Sequence, residues 1–461
     1  MGMAVDGLIS GLDTTSLINN LMQAEAIPQT LLKNKVSDST NFITAMQALN
    51  AKVATLADSA AKLAAPAGTD LHTATSSSTA VTATAGTGAV DGTIDFTVDQ
   101  LAQSQVTVTG PLTQWPDQPP TLTFVAANGT TTQVTAASAS LADVAAAINQ
   151  AGAGVSATQV AAGLDPATGQ PLYRLQLSST TTGAAAAFTA YRGTSADVAA
   201  GTATNLLSDP GAAQVRQAQD AQLTLWAGTG AAQTVTSASN TFTDVLPGVG
   251  VSVTAASTTP VTLTVARDDK SLSAAANSLV TSVNDILTFI SQKQAVATST
   301  DAAGGTVVTG GVFTGDSTTR DVNQQLVDAI ISPIGGVSPS TYGISITRDG
   351  TVTFDQDAFT KAMAADPATV KSALATIAQR VSDAGKAASD TYTGSISLKI
   401  QGEQSTVKDL NDQITDWDTR LADRRSTLEK TYANLEVQLQ QLQSQSSWLT
   451  GQLSSLPAAS A

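Results

Sequence analysis

The sequence predicts a multidomain α+β protein: a helical coiled-coil leg built from both chain termini, carrying two β-rich head domains. Three observations point there. Heptad-spaced apolar residues run along both ends of the 461-residue chain. Alternating Thr, Val and Leu fill its middle. The length also exceeds what a single hydrophobic core ordinarily serves, so several domains are expected.

At the N-terminal end, Asp13 is placed to cap a helix over residues 14–26. Phe42, Met46, Leu49, Val53, Leu56, Ala60 and Leu63 then follow at spacings of 4-3-4-3-4-3, which is a heptad seam. At the other end, Val407, Leu410, Ile414, Trp417 and Leu421 space as 3-4-3-4. The row passes Arg424 and resumes at Leu428, Tyr432, Leu435, Leu439, Leu442, Ser446, Leu449, Leu453 and Leu456. Two successive steps of four, at 424, 428 and 432, form a stutter that locally unwinds a left-handed supercoil. As helices the two seams would span about 33 Å and about 75 Å. The shorter covers under half of the longer, and buried leucines are worth roughly 1.5–3 kcal/mol each. The uncovered ones are therefore expected to meet other subunits or another protein. Leu428, Tyr432, Leu435, Leu439, Leu442, Trp448, Leu449 and Leu453 form this candidate partner seam, and Phe42, Met46, Leu49, Val53, Leu56 and Leu63 the N-terminal leg seam. Residues 437–461 contain no charged side chain and six Gln, a composition suited to a packed interface.

The middle differs. Residues 71–266 hold ten Asp and three Arg, and no Lys occurs between Lys62 and Lys270. Runs of period two at 93–98, 105–109, 222–226, 249–254 and 260–265 predict half-buried strands. Asn128-Gly129, Asp165-Pro166 and Pro247-Gly248 mark turns. Ser140 caps a helix with Leu141, Val144 and Ile148 on one face. Residues 92–108 and 220–265 read as two halves of one sheet around a nested domain. The predicted division is 1–40 with 410–461 as terminal coiled-coil segments and 41–70 with 267–409 as a helical leg domain. An inner head domain takes 71–109 with 215–266, and an outer one takes 110–214. Beyond the strands, 274–290 carries a helical stripe (Leu279, Val283, Ile286, Leu287, Ile290), and 316–331 and 357–364 also read as helices. Residues 344–354 form a hairpin turning at Asp349-Gly350, and Asp366 caps a helix that opens on Pro367.

Several chemistries are excluded. Zero Cys removes disulfides, thiolate catalysis and Cys-ligated metal, and one imidazole, His72, leaves no His pair. A calcium loop around Gly350 would need carboxylates where Ser345, Thr347 and Gln356 stand. Arg420, Arg424 and Arg425 lie among Asp416, Asp418 and Asp423 as an ion-paired helix face, and Asp91, Asp95 and Asp99 as a solvated one. The net charge of −15 leaves no basic stripe for nucleic acid. No run approaches the roughly 20 apolar residues of a membrane span. No catalytic residue, cofactor or metal is assigned. The opening residues lack the basic region and apolar core of a cleaved signal, so export, if it occurs, is expected by a route without one.

Words in the sequence add a resemblance. Ile9-Ser10-Gly11-Leu12-Asp13-Thr14 with Leu17, Leu21 and Glu25, the run 92–103 (GTIDFTVDQLAQ), and 242–249 (FTDVLPGV) resemble segments of the flagellar filament cap family, also called hook-associated protein 2. Residues 141–155 followed by 173–179 resemble the flagellin-type insertion repeat of that family's head, and 315–318 (GDST), 342–354 and 444–449 its C-terminal region. The resemblance implies a structural protein exported through the flagellar type III apparatus and placed outside the cell at the filament tip. It implies a ring-like homo-oligomer that helps flagellin insert, and a cytoplasmic chaperone that holds the C-terminal helix before export. Two other readings stay open: a hook–filament junction protein, and a secreted adhesin or fibre protein. Trp115, Tyr191 and Trp226 are few aromatics for the glycan groove that an adhesin would need.

Overall fold

The computed structural model describes residues 13–301 and 303–454. The chain forms two compact units, one the continuous segment Asp70–Leu272, the other assembled from the residues before and after it. It opens with α1 (Thr14–Glu25), whose first turn is capped by Asp13 accepting from the Ser16 N–H at 2.8 Å. Then come α2 (Ile27–Ala64), with Pro28 in its first turn, and the single turn α3 (Pro66–Thr69).

The strand-rich unit contains two lobes, each with its own core. Its chain runs β1 (His72–Ser76), β2 (Val81–Ala85), β3 (Gly92–Gln100), β4 (Val106–Val108), β5 (Thr121–Ala126), β6 (Thr131–Thr135), α4 (Leu141–Gln150), β7 (Val155–Leu164) and β8 (Pro171–Ser179). It continues through β9 (Phe188–Arg192), α5 (Ser195–Ala200), β10 (Thr204–Asn205), β11 (Ala213–Arg216), β12 (Ala221–Leu225), β13 (Gln233–Ser237), β14 (Thr241–Leu246), β15 (Val249–Val253) and β16 (Ser257–Arg267). The inner lobe pairs a five-stranded sheet, β1-β16-β3-β12-β13, with the three-stranded β14-β15-β2. Phe96, Val98, Leu223, Val251 and Leu263 fill the space between them. Alternation explains this, since Val249, Val251 and Val253 are buried while Gly250 and Ser252 are not. The β14–β15 turn needs Gly248: its φ is +69°, and a Cβ there would lie 2.6 Å from the Ala89 nitrogen.

The outer lobe pairs β10-β9-β5-β6 with β11-β4-β8-β7. Leu122, Phe124, Leu175 and Leu177 face the apolar side of α4 (Leu141, Val144, Ile148), with Trp115 buried in the same cluster. Ser140 caps α4, accepting from the Asp143 N–H at 3.1 Å. One expectation is corrected here. The strand at 106–108 was read as part of the inner sheet, but β4 pairs with β8 and β11 in the outer lobe. The alternation of Thr and Val marks a strand without saying which sheet receives it. The capped turn α5 lay in a stretch that carried no helical stripe.

The remaining elements are α6 (Asp269–Gln294), the hairpin β17 (Ala297–Thr300) and β18 (Thr306–Thr309), α7 (Ser317–Ile331), the hairpin β19 (Ile344–Ile346) and β20 (Val352–Phe354), α8 (Gln356–Ala365), α9 (Pro367–Ser389) and α10 (Ser395–Ser454). Asp316, Asp355 and Asp366 cap α7, α8 and α9. Met46, Leu49, Val53, Leu56 and Ala60 are fully buried or nearly so. They meet α9, whose Val370, Leu374, Ile377 and Val381 recur at helical spacing, and the start of α10, where Ile396 and Ile400 are buried. The shorter seam is thus covered mainly by α9 and not by the distal seam of α10. The helices approach closely at Gly385, where an added Cβ would sit 2.8 Å from the Ala57 Cβ. Phe42, at the end of the seam, is half-buried and edge-on to Phe313 at 5.8 Å.

Three outcomes are expected. Gly385→Val should destabilise the helical unit by about 1–3 kcal/mol in urea unfolding, because the methyls have nowhere to go; an unchanged midpoint would contradict the close packing. A fragment of residues 70–272 should be soluble with a strand-dominated circular dichroism spectrum, and a helix-dominated one would contradict the division. The Thr369 hydroxyl (2.6 Å), followed by its N–H, holds the Asp366 carboxyl below its ordinary value. A lowered folded-state value means that the cap's contribution is present above the unfolded pKa and fades as pH falls through the folded one. The stability gap between the native chain and Asp366→Ala should therefore shrink as pH drops below about 3.9, and a gap that widens on acidification would contradict it.

Candidate functional site

Helix α10 has 60 residues, about 90 Å at 1.5 Å per residue. The longest helix beside it, α2, has 38, or about 57 Å. The stutter at 424–432 does not break α10. Its environment changes along its length. Leu410 is its last buried residue. Val407, Ile414, Trp417, Leu421, Leu428, Tyr432 and Leu439 are half-buried, on the side turned to α1 and the start of α2. Leu435 is 44% exposed, Leu442 61%, Trp448 65%, Leu449 54% and Leu453 67%. Every residue from 441 to 454 is exposed among the described residues. The heptad row therefore continues without a charged residue for about 20 Å past the last side chain with cover. Leu456 and the opening Ile9 to Leu12 lie outside the described residues.

The covered stretch is held by polar contacts as well as by apolar ones. Gln29, 6% exposed, donates its amide to Asp418 Oδ1 at 2.5 Å and accepts from Lys33 Nζ at 3.2 Å. Arg424 meets Glu25 at 3.2 Å, and Arg425 donates to Asn19 at 3.1 Å and pairs with Glu429 at 3.1 Å. The face is ion-paired as expected, but with other partners. The arginines reach across to α1 or down their own helix, not to Asp416, Asp418 and Asp423, while Arg420 lies over the Trp417 ring at 5.6 Å. The outer faces of α1 and early α2 also carry apolar side chains: Leu17, Leu21, Ile27 and Leu31 are 40–58% exposed.

Elsewhere the candidate chemistry resolves into structure. His72 is buried in the strand-rich unit with Nε2 3.4 Å from Asp91. Asp91, Asp95 and Asp99 are exposed, as expected of a solvated face, with Asp95 accepting from the Thr262 hydroxyl and Asp99 from those of Thr97 and Thr224. Among the described residues no cluster of three or more His, Cys, Asp or Glu could hold a metal ion, and no helix is long and apolar enough to cross a membrane.

Comparison with known proteins agrees with this layout. A family model described as the flagellar hook-associated protein 2 C-terminus matches residues 218–444, and one for the N-terminus of the same protein matches residues 10–105. The chain belongs to the flagellar hook-associated protein 2 family. Between the two, residues 121–181 match the flagellin hook IN motif. The flagellar hook-associated protein 2 of Escherichia coli O157:H7 is 27% identical over 97% of each chain. The B-type flagellar hook-associated protein 2 of Pseudomonas aeruginosa is 29% identical over 228 residues, 48% of this chain and 47% of that protein. The crystal structure of the flagellar cap protein FliD D1-D2-D3 domains from Escherichia coli superposes with a TM-score of 0.58 at 23% identity, covering 78% of this chain and 99% of that one. That likeness shows the fold.

Gln29 and its bond to Asp418 were not among the residues that the sequence pattern marked. The one available signal was the polar pair Gln29-Thr30 between Ile27-Pro28 and Leu31-Leu32 in the first turns of α2. Asp418→Ala should leave the buried Gln29 amide without its acceptor and weaken the α2–α10 contact by about 1–3 kcal/mol in chemical denaturation. Arg424→Ala, at an exposed pair, should lose less than about 1 kcal/mol. The reverse order would contradict the assignment of Gln29 as the inner polar contact.

Proposed function

We infer that this chain caps the distal tip of a bacterial flagellar filament, outside the cell, and promotes insertion and folding of exported flagellin so that the filament elongates. Family membership supports the reading, together with a relative of that family that matches over 97% of each chain. The observation that carries it is the end of α10. An apolar heptad row without charge extends beyond every described element that could cover it. Such a row is a poor solvated surface and a good assembly surface. A closed ring of identical subunits supplies cover to every copy by the same contacts. The seam Leu428 to Leu453 would then face neighbouring subunits and flagellin at the tip. Before export, the same surface would be held by a cytoplasmic chaperone, and the chain would leave through the flagellar export apparatus.

The role needs no covalent step, only surfaces that hold and release subunits. The junction-protein alternative would share helical ends, but the family models that match are those of hook-associated protein 2. The adhesin alternative weakens further because Trp115 is 1% exposed and cannot line a groove.

Leu442→Asp touches no buried contact of the described chain, so the thermal unfolding of the purified subunit should stay within about 0.5 kcal/mol of the native one. In cells, the charge should block assembly by requiring burial of an unpaired carboxylate. Such a strain should shed unpolymerised flagellin into the medium and swim poorly. Normal filaments in a strain with this substitution, or in one lacking the chain altogether, would overturn the reading.

A further inference from the structure

The sequence contains one Asn-Gly pair, Asn128-Gly129. It forms the tip of the hairpin between β5 and β6 in the outer lobe. The Ala126 N–H donates to the Thr130 C=O and the Gly129 N–H to the Ala126 C=O, both at 2.9 Å, and these bonds close the turn. Gly129 sits at φ +82°, in the left-handed region. The Thr130 N–H donates to Asn128 Oδ1 at 2.9 Å. Residues 127–130 are all exposed, and a Cβ added to Gly129 would meet nothing within 4 Å.

The other asparagines are placed differently. Among the described residues each lies inside a helix except Asn205 and Asn240. Those two precede Leu206 and Thr241, whose branched side chains crowd the next main-chain nitrogen. Asp349-Gly350 shares the frame of Asn128-Gly129. It too is an exposed hairpin turn, with Gly350 at φ +85° and open space around it. It carries a carboxyl where Asn128 carries a carboxamide. The Thr347 hydroxyl, then the main-chain N–H of Asp349 and the Thr351 hydroxyl, hold that carboxyl below its ordinary value. At neutral pH it is an anion, which repels a nucleophile and offers no neutral leaving group.

We propose that Asn128 is a self-modification site, which loses its carboxamide through a succinimide formed with Gly129. Hydroxide removes the Gly129 amide proton, and the nitrogen attacks Asn128 Cγ. The N–Cγ bond forms and the Cγ–Nδ2 bond breaks. Nδ2 takes a proton from water and leaves as ammonia, which regenerates hydroxide. Water then opens the ring at either carbonyl, leaving an aspartate or an isoaspartate at position 128. Nothing is oxidised or reduced, and water is the only co-reactant. Gly129 favours closure because no side chain obstructs its nitrogen. The Thr130 N–H is already on Oδ1, the oxygen that gains charge in the tetrahedral intermediate. The bond from Gly129 to Ala126 must open first, and at an exposed hairpin tip such opening costs little. Both products add a carboxylate to a chain of net charge −15. Isoaspartate also routes the main chain through one further carbon, at the turn that sets the β5–β6 register. The modification concerns the outer lobe alone and is independent of the cap reading.

The test keeps the full-length protein folded at neutral and at mildly alkaline pH, samples it over days, and digests each sample with pepsin in acid, which halts the reaction. Mass spectrometry should show the amide-to-acid mass gain in peptides that contain position 128 before any other asparagine, and faster at the higher pH. Isoaspartate should exceed aspartate there, because the ring opens preferentially at its α-carbonyl, whereas direct hydrolysis of the side chain gives aspartate alone. A synthetic peptide of residues 121–135 sets the time scale of the same pair without the fold. Gly129→Ala should slow the conversion several-fold. Should that alanine, at a positive φ, lower the melt, the position, pH dependence and isoaspartate content in the native chain decide. No conversion at position 128 by the time the peptide has converted fully, aspartate without isoaspartate, earlier conversion of another asparagine, or an unchanged rate in folded Gly129→Ala would each overturn the proposal.

Discussion

The helical unit depends on the contact between α2 and α9. It brings residues more than 300 positions apart to within a methyl group's distance, Ala57 against Gly385. Met46, Leu49, Val53 and Leu56 leave water there, each worth roughly 1.5–3 kcal/mol. This burial closes a chain loop large enough to contain the whole segment Asp70–Leu272. Loop-closure entropy grows only logarithmically with length, so so large an insertion adds little to the cost of that closure. The inserted unit can afford its own two cores because it draws no apolar residue from the helices. With α2 satisfied by α9 and the start of α10, α2 has only its first turns left to offer the rest of α10.

That limit shapes the other end of the molecule. A 60-residue helix cannot be covered by a 38-residue neighbour whose C-terminal two-thirds already serve another partner. From Leu410 onward α10 is half-covered by α1 and early α2, and past Leu439 it has no cover among the described residues. The ion pairs Arg424–Glu25 and Arg425–Glu429 mark the covered part, and the charge-free segment begins immediately after Glu436. Charge placement and cover change at the same point. That coincidence is what physical selection for a second, intermolecular contact would produce, and membership of the flagellar hook-associated protein 2 family gives it a setting.

The general fold was legible because its signals are local. Heptads, period-two runs, and caps such as Asp13, Ser140 and Asp366 act within a few residues, and each sits where its spacing placed it. What escaped was pairing. The triplet Val106–Val108 carries no label for its sheet, so β4 was placed in the inner lobe while its hydrogen bonds go to β8 and β11. The N-terminal seam was legible, but its main partner α9 was not, since any helical stripe of sufficient length could have covered it. The arginine face was legible as ion-paired, but its partners, Glu25 and Glu429, with a hydrogen bond to Asn19, were not. The candidate seam itself was readable as a pattern, but only three-dimensional cover divides it into the half-buried Leu428, Tyr432 and Leu439 and the exposed Leu435, Leu442, Trp448, Leu449 and Leu453.

The central claim is that the distal part of α10 is uncovered in the single chain and becomes covered on assembly. Amide hydrogen exchange over residues 440–454 tests it most directly, compared between the isolated subunit and the same protein assembled on filament tips. Uncovered helix ends open locally at little cost and exchange fast, whereas packed ones approach global protection. The account predicts rapid exchange in the free subunit and strong protection in the assembly, with residues 45–60 of α2 protected in both. Strong protection of 440–454 already in the free subunit, or equally fast exchange in both states, would contradict it.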